Sequence, residues 1–313
     1  MQTSTPKGKR IRVGTRASAL AQAQADQTIA KLATMAGEDV ALEKVLFTTT
    51  GDKHLEGTLA EMGGNKGLFT KEIEEALLRG DIEIAVHSMK DVETKLPDGL
   101  VIAAMLPRED ARDALISKQG WTLKTLPKNA IVGTSSLRRA ALLWHKRPDL
   151  KIVPFRGNVL TRLRKLDDSV ADATILAMAG INRLGLKIEG MHVLEVDEYV
   201  PAVAQGAIGL QCRDDDTDMM LLLEKLNHDD TFTCVTAERS MLAVLDGSCR
   251  TPIAGYATLE NNEMLLKGLV LKPDGSAAEY EEMRFVHADS IKAGEAVAEA
   301  LLQRIGKDFF RVR

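Results

Sequence analysis

Arg138 and Arg139 stand side by side in VGTSSLRRA, residues 132–140, directly after a run of hydroxyl residues. Arginine's planar fork presents parallel N–H donors to a carboxylate, a grip that lysine cannot reproduce, so the pair points to anion binding. Residues 131–165 carry nine basic side chains, among them Arg156 and Arg162, and one acid, Asp149, while the whole chain has a net charge of -4. A nucleic-acid binder shows a basic domain or stripe, and the aromatic residues that stack on bases make up only 4% of this chain. A basic pocket in an acidic body suits a small polyanion, with no nucleic acid partner. Taken alone, Arg138 and Arg139 are equally compatible with a solvated helix face; Arg156 and Arg162, on the next strand-to-helix turn, favour a site.

A second candidate is Asp91, with Lys90 beside it, following the apolar run IEIAVHSM. The carboxyl end of a strand is where doubly wound sheets place their chemistry, although a strand-exit turn or a helix cap reads equally well there. His87 reads as a structural strand residue rather than a base. Cys212, Cys234 and Cys249 form no C-x-x-C pair and the six histidines are scattered. Neither a disulfide framework nor a metal site is expected.

Positioning these residues requires an α/β fold. Short apolar runs alternate with helical patterns, the mark of βαβ units. Ile11 to Gly14 reads as a strand, followed by a helix capped by Ser18; Ile131 to Gly133 repeats this, with Ser135 or Ser136 as the cap. VGTRASALAQAQA and VGTSSLRRAALLW look like weak copies, the openings of two similar doubly wound lobes. TKEIEEALLRG and NVLTRLRKL read as helices, LKIVPFRG and ATILAMAG as strands. Arg16, Ser18, Thr134, Ser136, Arg138, Arg139 and Arg156 then fall at helix N-termini or strand ends facing one cleft, where free N–H groups favour anions. Beyond about Thr231, strand-like runs separated by Asn261-Asn262 and Pro273-Asp274-Gly275 precede a helix capped by Asp289 or Ser290. This reads as a small antiparallel sheet with one covering helix. The boundaries expected are 1–106 plus 207–228 for lobe 1, 107–206 for lobe 2 and 229–313 for the C-terminal α+β domain.

AVHSMKD at 85–91, GTSSLRR at 133–139, RGNVLTRL at 156–163, PAVAQGAIG at 201–209 and GSCRTPIAGYA at 247–257 together resemble the porphobilinogen deaminase (hydroxymethylbilane synthase) family, in order and spacing over nearly the whole chain. The resemblance implies two lobes like those of periplasmic binding proteins and a third domain bearing a dipyrromethane cofactor through a cysteine thioether. It further implies a transferase of tetrapyrrole and heme biosynthesis: four porphobilinogen molecules are condensed head to tail on the dipyrromethane with loss of ammonia, and hydroxymethylbilane is then released by hydrolysis. Every pyrrole ring brings an acetate and a propionate, which gives the arginines their task. By match to the family motifs Asp91 is the catalytic carboxylate. Lys90, Thr134, Ser136, Arg138, Arg139, Arg162 and Arg183 fall to the cofactor, Arg16, Ser18 and Arg156 to the substrate, and Lys66 and Phe69 to a lid; glycine-rich residues 51–67 read as that mobile lid and, from composition alone, nearly as well as an ordinary surface loop. Cys249 is the cofactor cysteine, because it lies in a loop-like context, whereas Cys212 and Cys234 sit in apolar runs that read as buried and inert.

The chain departs from the family pattern at Glu61, at Asn65, at Glu93, where proline is common, and at Ala204, where glycine is usual. The alternative is a two-lobed anion- or solute-binding protein without catalysis, which ordinarily requires export. MQTSTPKGKRIRV has no apolar stretch after its basic residues, and no window approaches the roughly 20 apolar residues of a membrane span. A cytoplasmic monomer without membrane partners is expected.

Overall fold

The computed structural model describes residues 10–35, 40–53 (backbone only at 52 and 53), 67, 69–245, 251–286, 289–306 and 309. Its elements in chain order are β1 (Arg10–Arg16), α1 (Ala19–Ala33), β2 (Ala41–Phe47), α2 (Thr50–Lys53), α3 (Lys71–Leu78), β3 (Ile84–Ser88), a 3-10 turn (Met89–Asp91), β4 (Leu100–Met105), β5 (Asp113–Ile116) and β6 (Ile131–Gly133). There follow α4 (Leu137–Lys146), β7 (Lys151–Val153), α5 (Val159–Asp167), β8 (Ala173–Ala177), α6 (Met178–Arg183), β9 (Met191–Leu194), β10 (Ile208–Arg213) and α7 (Thr217–Glu224). The chain closes with α8 (Asp229–Val244), β11 (Ile253–Glu260), β12 (Glu263–Leu271), β13 (Ala278–Val286) and α9 (Ser290–Arg304).

Two five-stranded sheets form the α/β lobes, in the orders β2-β1-β3-β10-β4 and β7-β6-β8-β5-β9. In each, the opening strand pairs in parallel with its two neighbours, and one strand (β10 or β5) runs antiparallel to those flanking it. Because β10 lies between β3 and β4, the chain leaves the first sheet after β4 and returns to it after completing the second. Strands β3, β5, β8 and β10 are almost entirely buried apolar runs, as strands covered on both faces must be.

The sequence echo is visible in the backbone. Ser18 caps α1 by accepting the Ala21 N–H, and Ser136 caps α4 by accepting that of Arg139. Gly14, two residues before the end of β1, and Gly133, the last residue of β6, stand where a Cβ would come within 2.4 Å of Ile82 in one lobe and of Phe155 in the other. ATILAMAG, expected as one strand, divides at Ala177 into β8 and α6.

The C-terminal sheet is antiparallel, in the order β11-β12-β13, and Asn261 and Asn262 form the first turn with positive φ at both residues, as a two-residue hairpin requires. Two helices pack on it rather than the single one expected, since α8 joins α9 there. DDTFTCVTAERSMLAV shows no clean apolar stripe because α8 also packs against β4. Its core includes Met89 and Val92 from the turn carrying Asp91, so the catalytic-candidate turn rests on the C-terminal unit. No helix among the described residues is long and apolar enough to cross a membrane.

Candidate active site

Arg16 ends β1, Ser18 caps α1, and Lys90 and Asp91 occupy the 3-10 turn at the carboxyl end of β3. Adjacent parallel strands therefore deliver these side chains to one place. With Phe69 and Gln24 they line an open cleft of about 460 Å³, counting the space continuous with solvent. Within it the Arg16 guanidinium lies 3.7 Å from an Asp91 oxygen and 4.3 Å from the centroid of the Phe69 ring. The Gln24 amide exchanges hydrogen bonds with Ser88. Behind the wall, burial lowers the pKa of His87 to about 4, and its Nε2 meets the Gln211 amide oxygen at 2.9 Å. It is a neutral, buried strand residue.

The second lobe contributes cations of a different kind. Arg138 and Arg139, in the first turn of α4, are each only 5% exposed. Both turn inward to Asp113 at the start of β5: Arg138 Nη2 donates to Oδ2 at 2.6 Å and Arg139 Nη2 to Oδ1 at 2.7 Å. Arg138 also donates to the Val200 carbonyl, and Arg139 to that of Ile175. Burial opposes the Asp113 charge, but the two guanidiniums outweigh it and hold the carboxyl well below the usual range. One carboxylate against two buried guanidiniums leaves a surplus of positive charge. The Arg138 Nε–H is buried with no hydrogen-bond partner among the described residues.

A single amide connects the two sets. Gln205 Nε2 donates to Asp113 Oδ1 at 2.9 Å and to the Ala111 carbonyl at 2.7 Å, while its Oε1 accepts from Lys90 Nζ at 3.4 Å. Lys90 is open toward the cleft, yet surrounding protein lowers its pKa to about 8; Asp91 opposes that shift and the Arg139 and Arg138 charges reinforce it.

Arg162 donates Nε to the Gly157 carbonyl, and burial, aided by the Arg139 charge against that of Asp91, lowers its pKa to about 10. It thus lies within electrostatic range of groups in both lobes. Arg183 donates to the Gly206 carbonyl at 2.7 Å. Thr134 is buried and accepts the Ser136 N–H; the Arg156 carbonyl accepts from Lys165. Thr134, Ser136, Arg138, Arg139, Arg156, Arg162 and Arg183 are not among the residues lining the cavity beside Asp91. Cys249 and Lys66, with Glu61 and Asn65, lie outside the described residues. Cys212 and Cys234 are buried, and burial pushes their thiols up to about 11 and about 12.

Asp113 was not singled out from the sequence, where it is one acid among several in REDARDA, and Gln205 appeared only within the PAVAQGAIG motif. Nothing local distinguishes a carboxylate destined for burial between two arginines.

The arrangement provides a cavity with a carboxylate beside cations, backed by a buried cationic reserve. That combination can bind a molecule rich in carboxylates and stabilise positive charge developing next to it. Residues 11–221 match the profile of a family described as "Porphobilinogen deaminase, dipyromethane cofactor binding domain", and residues 232–303 match "Porphobilinogen deaminase, C-terminal domain". Among curated relatives, porphobilinogen deaminase of Paracoccus denitrificans is 52% identical, over 96% of this chain and 96% of its own. The chloroplastic enzyme of Pisum sativum is 49% identical over 99% of this chain and 85% of its own. That of Nitrobacter hamburgensis is 47% identical over 99% and 98%. Among solved structures, a TRAP periplasmic solute binding protein from Desulfovibrio salexigens aligns at 10% identity and a TM-score of 0.43, over 72% of this chain and 74% of that one.

Proposed function

The chain belongs to the porphobilinogen deaminase family, and from that premise we infer how its residues divide the work. It is a transferase of tetrapyrrole biosynthesis that condenses porphobilinogen on a dipyrromethane cofactor and releases ammonia and hydroxymethylbilane. Its division into lobe 1 (1–106 with 207–228), lobe 2 (107–206) and a C-terminal domain (229–313) belongs to this reading and is supported by the strand orders of the three sheets.

The observation that carries the site assignment is the buried cationic reserve with an open donor, Arg138 Nε–H. Arg138, Arg139, Arg162 and Arg183 supply more guanidinium charge than Asp113 neutralises, which fits a cofactor bearing an acetate and a propionate on each ring. We assign the cofactor carboxylates to these arginines with Lys90, Thr134 and Ser136. Once bound, the dipyrromethane would supply the nucleophilic α-carbon for the first condensation, and each added ring would supply its own free α-carbon for the next.

Arg16, Ser18 and Arg156 are assigned to the substrate carboxylates, and Phe69 with Lys66 to the cover above them. Loss of ammonia from porphobilinogen leaves positive charge on the pyrrole nitrogen. The Asp91 carboxylate accepts a hydrogen bond from that N–H, stabilises the charge, and takes the α-proton released when the attacking ring regains aromaticity. Arg16, 3.7 Å away, keeps the carboxylate in place between steps.

Cys249 is the proposed attachment point, supported by the burial of Cys212 and Cys234. Intact-protein and peptide mass spectrometry should find a dipyrromethane excess on the peptide containing Cys249, removed by Cys249→Ala. An unmodified Cys249 in fully active enzyme would sink the assignment. A cytoplasmic monomer acting on small molecules alone completes the proposal, and light scattering during size-exclusion chromatography tests the oligomeric part.

A further inference from the structure

Three distant parts of the chain meet at Glu93, two residues beyond Asp91. Its side-chain Oε1 accepts the Gly67 backbone N–H at 2.5 Å. Its own carbonyl accepts from Arg239 Nη2 of α8, and Arg239 Nη1 holds the preceding carbonyl, that of Val92, at 2.9 Å. The backbone of Glu93 is therefore anchored to the C-terminal unit while its carboxylate holds the residue that leads into α3.

Gly67 is held from its other side as well. Its carbonyl accepts the Thr70 and Lys71 N–H groups at 3.1 and 3.0 Å, the turn that starts α3. Its φ of +70° is a conformation residues with a Cβ rarely adopt. With both polar groups of this residue bound, the direction in which the chain enters α3 is set. Phe69 follows two residues later, its ring 4.3 Å from the Arg16 guanidinium, and Arg16 faces Asp91 at 3.7 Å. Glu93, Gly67, Phe69, Arg16 and Asp91 thus close a ring of contacts and chain links around the cavity mouth.

We propose that Glu93 is a positioning residue for the condensation: its carboxylate pins Gly67, so seating Phe69 on Arg16 and orienting Arg16 toward substrate beside Asp91. A charged acceptor makes this bond stronger than a neutral one, whereas proline, common at this position in the family, offers no side-chain acceptor. The inference rests on Arg16 and Asp91 acting as proposed above.

The test compares Glu93→Ala with Glu93→Gln, whose amide oxygen can still accept the Gly67 N–H, both as holoenzyme. In Glu93→Ala the KM for porphobilinogen should rise about tenfold with kcat changed about twofold or less, and Glu93→Gln should stay within about threefold of the parent. Hydrogen–deuterium exchange of residues 67–70 in resting holoenzyme should quicken about tenfold in the alanine variant and not in the glutamine variant. Unchanged exchange in Glu93→Ala overturns the contact; quickened exchange with unchanged KM overturns its role. A glutamine variant as impaired as the alanine one overturns the acceptor argument. The exchange result stands whether or not Asp91 proves to be the catalytic carboxylate, so failure of the contact and failure of the site assignment are distinguishable.

Discussion

Asp91 and Lys90 are neighbours on one short turn with opposite charges and separate tasks. Asp91 has Arg16 as its nearby counter-charge, and its assigned task depends on being anionic next to a developing cation. Asparagine keeps the shape and loses the charge. Asp91→Asn should fold and load cofactor but lose about a thousandfold or more in turnover, while Asp91→Glu keeps a small fraction; steady-state rates on holoenzyme of known cofactor content decide. Lys90 is depressed to about 8 by the protein around it, so its cation is present below that pH and lost above it. If it helps hold carboxylates, binding weakens as pH rises through about 8. The rate at which apoenzyme takes up its cofactor should fall there in the parent protein, and the fall should vanish in Lys90→Arg, whose guanidinium does not titrate in this range.

Among the elements, the segment returning from the second lobe to β10 carries the most unusual backbone. Ala204 has φ +60°, is buried, and donates its N–H to Glu238 at 2.6 Å. The Cβ strains a left-handed conformation, and the hydrogen bond holds it there. Ala204→Gly relieves the strain at some cost in unfolded-chain entropy. It should stabilise the protein by about 0.5–1 kcal/mol, read as a higher urea midpoint at unchanged slope. An unchanged or lower midpoint would show that the segment tolerates alanine without strain. The adjoining Gln205 depends on this geometry, because its amide spans Lys90 and Asp113 only from that point of the chain.

For the whole molecule, one buried ion pair joins the C-terminal unit to both crossings between the lobes. Glu238 of α8 is fully buried and accepts Arg108 Nη1 and Nη2 at 2.5 and 3.1 Å, as well as the N–H groups of Ala204 and Ala257. Arg108, just after β4, also donates to the Gln205 carbonyl and lies over the Tyr256 ring. Arg108→Ala would leave a buried carboxylate without its counter-charge, which should cost about 3–5 kcal/mol in equilibrium unfolding. Loss of less than about 1 kcal/mol would mean that water or another cation replaces it.

Much of this architecture was legible in linear pattern. Strand runs, the Ser18 cap, the Asn261-Asn262 turn and the strand-end placement of Asp91 depend on near neighbours in the chain, so they could be read from spacing, which narrowed the α4 cap to Ser135 or Ser136. The family motifs likewise named the enzyme and its cofactor. Helix α8 escaped because it is packed on several sides and carries no single apolar stripe. The inward turn of Arg138 and Arg139 was also hidden, since their partner Asp113 lies 25 residues away or more and looks like any surface acid in sequence. Glu93 registered only as a departure from pattern, its bond to Gly67 invisible until both were placed. Charge pairing and burial are decided by distances between residues far apart in the chain, and only the tertiary structure sets those distances.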